Sequence, residues 1–238
     1  MSVIEAFVVI VFSAAGAMVQ GCIGLGLALV SGPALVAVDA DFAPGPLIVV
    51  GQIVGLRNVV VERIHTDRSA VRHCAIGLPF GLAAGLSVLA AMSDETIAIL
   101  VGSVAAGGAL IRLCGLRIPR STPVEVTTGT AVAFTSVTAG LPGPMFALTF
   151  SDMEPPTMRG TIGSVFFLVA VSSVVGLVAT GQFGGHELEL VGWLIPGILL
   201  GLLIARFVRP RVDRTWFRPV VLVVAFIGGV ALLFRQLL

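Results

Sequence analysis

Nine apolar runs make up most of this 238-residue chain, at 3–19, 27–38, 44–61, 74–92, 96–111, 124–150, 160–181, 190–207 and 219–237, with short charged clusters between them. A helix needs about 20 residues to cross the hydrocarbon of a bilayer, and most of these runs approach that length. Only 11% of the residues are charged, against 57% hydrophobic and a mean hydropathy of +1.08, whereas a soluble domain carries roughly a quarter charged residues. The reading is an all-α polytopic membrane protein. No stretch is long and polar enough for an extramembrane domain, so function belongs inside the bilayer.

Two runs do not fit single crossings. The run 27–38 is short and follows the sequence QGCIGLG, while 124–150 is long and interrupted by GLPGP at 140–144. Irregular backbone cannot face lipid, where each unpaired N–H or C=O costs several kcal/mol, so such breaks are buried in protein or line a wet cavity.

Short Arg-rich loops stay cytoplasmic. The loops at 62–73, 112–120 and 206–218 qualify, which places the acidic loops 93–95 and 182–189 outside. Segment 121–150 then begins and ends inside, and 3–38 begins and ends outside. Each is read as a re-entrant or broken hairpin turning at its glycine break, the second with arms about half a spanning helix long.

The halves also resemble each other. Leu78-Pro79-Phe80-Gly81 with Gly85-Leu86 matches Ile195-Pro196-Gly197 with Gly201-Leu202, and Gly24-Leu25 matches Gly140-Leu141, at offsets of about 110 to 117 residues. The expected plan is two inverted repeats, each a hairpin plus three transmembrane helices. Repeat 1 is 1–120, with hairpin 3–38 and helices 44–61, 74–92 and 96–111. Repeat 2 is 121–238, with hairpin 124–150 and helices 160–181, 190–207 and 219–237. A parallel repeat follows instead if 3–19 and 124–150 each cross once.

Helices restarting after the two breaks aim positive dipole ends and free N–H groups at mid-membrane, which suits an anion. Gly24, Gly26, Gly140 and Gly143 let backbone approach a ligand. Gln20, Ser31, Thr135, Ser136 and Thr138 are neutral donors beside the breaks; back-bonding to their own helix is the alternative for the hydroxyls. Gln52, Arg57 and Asn58 on 44–61, with Arg159 and Ser164 at the start of 160–181, complete the candidate substrate-binding set. Snorkelling to the interface is the competing reading of the two arginines. The pairs Gly51/Gly55, Gly81/Gly85 and Gly197/Gly201 read as close-packing positions. Glu5 and Glu125 are candidates for proton coupling, with interfacial solvation as their default.

Other classes are excluded or unsupported. A net charge of +1, with every basic residue an Arg, argues against nucleic acid and against lysine chemistry. Cys22, Cys74 and Cys114 show no metal or disulfide spacing. The histidines fall between apolar runs, leaving a serine no base at depth. Neither catalytic residues, a metal nor a cofactor is expected, and the chain is not read as an enzyme.

The stretches VQGCIGLGLALVSGPALVAVDADFAPGPL (19–47), GLRNVVVERIHTD (55–67), GLPGPMFALTF (140–150) and MRGTIGSVFFL (158–168), in this order, resemble the TauE/SafE sulfite exporter family of bacterial and archaeal membrane permeases. The resemblance implies movement of sulfite, sulfoacetate or another organosulfonate, usually outward, across the cell membrane through a two-repeat fold. The second break departs from a glycine-richer form common in the family. The expected partners are a small anion and the lipid bilayer, with a homodimer left open. A permease for non-sulfur carboxylates and an accessory membrane protein without transport are the alternatives.

Overall fold

The computed structural model describes residues 2–23, 26–114, 118–150, 152–208 and 214–237. They form ten α-helices: α1 (Val3–Ile23), α2 (Leu27–Val38), α3 (Gly45–Val61), α4 (Arg68–Leu89), α5 (Asp94–Leu113), α6 (Thr122–Ala139), α7 (Gly143–Thr149), α8 (Pro155–Ala179), α9 (Gly185–Val208) and α10 (Arg214–Leu237). Four have the length and apolar composition to cross a bilayer, at Val3–Cys22, Arg68–Leu89, Pro156–Ala179 and Gly185–Val208, and α2, α5 and α10 contain shorter apolar stretches.

The helix α4 outruns its apolar run because its polar first turn is capped. Asp67 accepts from the Ser69 and Ala70 N–H groups at 3.0 and 3.1 Å, starting α4 at Arg68 rather than at 74. Ser2 and Glu5 cap α1 reciprocally. His73 therefore lies within α4, and not in a loop.

The hairpins are less even than expected. α1 has 21 residues and α6 has 18, so neither is a half-length arm; the short arms are α2 with 12 and α7 with 7. The break glycines sit late in each apolar stretch, so the first arm runs to nearly full length before the chain turns.

Packing pairs the two halves. α1 lies against α9 as α6 lies against α4, α3 packs on α8, and α5 on α10. Glycines set the closest crossings. A Cβ on Gly81 would stand 2.0 Å from the Thr130 carbonyl oxygen, one on Gly129 2.1 Å from that of Cys74, and one on Gly201 2.2 Å from that of Ala14. Such backbone contact is the small-residue packing used by membrane helices. Gly51 and Gly55 depart from the packing expectation: nothing lies within 4 Å of a Cβ at either.

At the end where α4 and α6 begin, charged groups tie the halves together. Arg120 Nη2 donates to Asp67 Oδ2 at 2.9 Å and to Glu125 Oε1 at 2.7 Å, and its guanidinium sits 5.5 Å from the Phe150 ring centre. His73 Nδ1 is 2.6 Å from Glu125 Oε2. Arg159 grips Glu62 through Nη2 and Nε at 2.7 and 2.9 Å. Glu125 is 5% exposed, so its surroundings are this cluster and not the solvated interface expected of it. At the opposite end, the exposed His186 lies 3.3 Å from Asp41 and 4.0 Å from Asp39, a grouping that their sequence separation hides. Arg235 donates to the Ala37 carbonyl near the C-terminus of α2.

Burial opposes ionisation of Asp67, yet the Ala70 N–H and Arg120 outweigh it and hold the carboxyl below its usual range. A depressed carboxyl stabilises the fold above its ordinary value of about 3.9 and loses that contribution as pH falls through the folded value. Asn retains the cap but not the charge. Asp67→Asn should therefore melt lower than wild type at neutral pH, with the gap closing in acid below about pH 3.9. Thermal unfolding in detergent across pH checks this; a gap constant with pH would show that the charge does not contribute.

Candidate functional site

The two breaks meet at a cavity of ≈ 50 Å³ walled by α3 and α8. The first break is held by Gln20, near the end of α1. Its Oε1 accepts from the Leu27 N–H, the first of α2, at 3.0 Å, and its Nε2 donates to the Gly51 carbonyl of α3 at 3.0 Å. One carboxamide thus satisfies a helix-start donor and joins three helices. Gly26 precedes α2 at φ 126°, a conformation that L side chains rarely adopt, and Val19 would stand 2.9 Å from any Cβ there.

The second break ends α6 with Gly140 at φ 68°. The Gly140 N–H donates to the Ser136 carbonyl at 2.8 Å, and the Leu141 N–H to that of Thr135 at 3.2 Å. This paired left-handed cap closes the last turn before the chain enters α7.

Of the candidate residues, Gln20, Gly26, Gln52, Ser136 and Gly140 line the cavity together. Gln52 is distinctive. Its Nε2 is buried and finds no hydrogen-bond partner among the described residues, a condition that costs about 1–3 kcal/mol and that an acceptor in the cavity would relieve. Ser136 is 1% exposed, and its oxygen receives a long hydrogen bond, 3.5 Å, from Ser173 on α8, leaving the Ser136 proton available. Sequence reasoning missed Ser173, which lies 37 positions from its partner with nothing in the local pattern to mark it. It also assigned Gly51 to packing, though Gly51 lines the cavity.

The remaining candidates are placed elsewhere. Ser31, Thr135, Thr138 and Ser164 donate to carbonyls one turn back, of Leu27, Ala131, Phe134 and Gly160, at 2.7 to 2.9 Å. Arg159 is engaged with Glu62. Gly143 opens α7. Gly24 and the side chains of Arg57 and Asn58 lie outside the described residues. Apolar side chains complete the wall, Leu29, Leu47, Ile48, Phe166 and Val169 among them. Phe166 is held edge-on to Phe146, centroids 4.8 Å apart.

Helices of spanning length, enclosing two interrupted hairpins beside one small cavity, define a multi-pass integral membrane protein. The family model for the sulfite exporter TauE/SafE matches residues 8–232. With nearly the whole chain matched, the protein belongs to the TauE/SafE family of membrane transporters. Neither the curated proteins nor the solved structures gave a match.

Proposed function

We propose that this protein carries a small sulfur oxyanion, sulfite or a short sulfonate, outward across a bacterial or archaeal cell membrane, bound in the cavity between the two breaks. The observation that carries the reading is the buried Gln52 Nε2 on the wall of that cavity, without a partner among the described residues where two helix breaks meet. A cavity needs about 10–15 Å³ to hold one water, so ≈ 50 Å³ suits an ion of about four heavy atoms. Family membership supplies the sulfur.

The halves 1–120 and 121–238 act as inverted repeats that rock about the site. Supporting this is the exchange of partners between them, α1 with α9 and α6 with α4. Binding shifts the equilibrium only as far as the two states differ in affinity for the anion.

Purified protein in detergent should melt higher with sulfite or methanesulfonate than with lactate at equal ionic strength. At a 100-fold excess over the dissociation constant the gain is about 2.7 kcal/mol. Stabilisation by lactate alone would make the substrate a carboxylate, and stabilisation by none of the three would favour an accessory role.

A further inference from the structure

We infer that the site selects for charge as well as size, taking a singly charged oxyanion and rejecting the dianion of similar volume. This rests on the transport reading above. None of the described residues lining the cavity is charged. Its side-chain donors are the Gln52 Nε2 and the Ser136 hydroxyl, with Ala28 and Leu29 of the first turn of α2 beside them.

The charged groups on the elements that wall the cavity are engaged elsewhere. Glu62, which follows α3, pairs with Arg159 of α8 at 2.7 Å. Glu125 of α6 is held by Arg120 and His73, and Glu5 of α1 caps its own helix. Arg57 of α3 has its side chain outside the described residues.

The cost of taking an ion out of water grows with the square of its charge, so a dianion meets about four times the penalty of a monoanion. The same neutral donors serve both ions. Hydrogen bonds to a charged acceptor are strong, but they do not strengthen fourfold when the charge doubles. Apolar neighbours such as Leu47, Ile48 and Val169 give the second charge nothing in exchange for its water.

Proteoliposomes holding the full chain test this with three anions. Methanesulfonate is singly charged and sulfate doubly charged on both sides of neutrality, while sulfite passes from the singly protonated to the dianionic form near it. Methanesulfonate flux should be unchanged by pH and exceed sulfate flux by at least ~30-fold. Sulfite flux should fall about tenfold for each pH unit on the alkaline side.

Sulfate carried within about threefold of methanesulfonate overturns the inference. So does a sulfite flux indifferent to pH. A methanesulfonate flux that falls in step with sulfite assigns the pH effect to the protein and overturns it as well. If none of the three anions moves, the transport reading itself fails.

Discussion

Gln52→Leu should lower sulfite flux by roughly 10- to 150-fold while leaving the unliganded protein as stable as wild type or more so. The flux loss is that of one hydrogen bond to a charged acceptor, about 1.5–3 kcal/mol. The stability gain arises because Nε2 is buried without a partner among the described residues, and removing such a donor relieves about 1–3 kcal/mol. The opposite signs make the test informative. A residue that merely holds helices together would lose stability and transport in parallel, so a fall in both would sink the role given to Gln52. Flux in proteoliposomes and melting in detergent, on the same preparation, read both quantities. Gln20→Leu is the contrasting variant: Gln20 is bonded at both ends of its carboxamide, and its loss should reduce stability as well as flux.

The largest structural effect is expected at Gly129. Its Cβ position lies 2.1 Å from the Cys74 carbonyl oxygen and 2.7 Å from the Cys74 carbonyl carbon. Backbone cannot swing aside as a side chain does, so Gly129→Leu must push α6 off α4. Overpacking of this kind costs about 1–3 kcal/mol and at times more. Here it acts on a crossing where Gly77 and Gly81 are equally tight, so loss of monodisperse protein in detergent is the expected outcome. Gly107→Ala is the control, because nothing lies within 4 Å of its Cβ; exchanging Gly for Ala within a helix should gain about 0.5–1 kcal/mol. A Gly129→Leu protein that melts with wild type would show that the crossing is loose.

Those two residues also show how far the sequence could be read. The breaks were legible because glycine and proline inside lipid-grade sequence have few physical explanations, and their corresponding positions in the two halves pointed to one site. Which side chains face that site was not. Thr135, Ser136 and Thr138 occupy one turn of α6 and are equally polar, yet Ser136 lines the cavity while the threonine hydroxyls bond back to Ala131 and Phe134.

The choice depends on the rotation of α6 about its axis, about 100° per residue, which its crossing with α4 decides. The same holds for the glycine pairs. Gly51/Gly55 and Gly81/Gly85 share one spacing, but only the second pair meets a neighbouring backbone, because spacing specifies a stripe and not what lies opposite it. Glu125 was read as interfacial since its partners His73 and Arg120 belong to a different helix and a loop.

The Gln20 bridge has a consequence for how such a protein can change. Because that single carboxamide joins α1, the start of α2 and the Gly51 carbonyl, the irregular backbone is secured without help from Gln52, Ser136 or the apolar wall. Gln52, Ser136 and the apolar wall are therefore free to vary while the break stays in place. Descendants of one ancestral scaffold can diverge in what they carry by substitutions at a few wall positions, with the framework inherited intact.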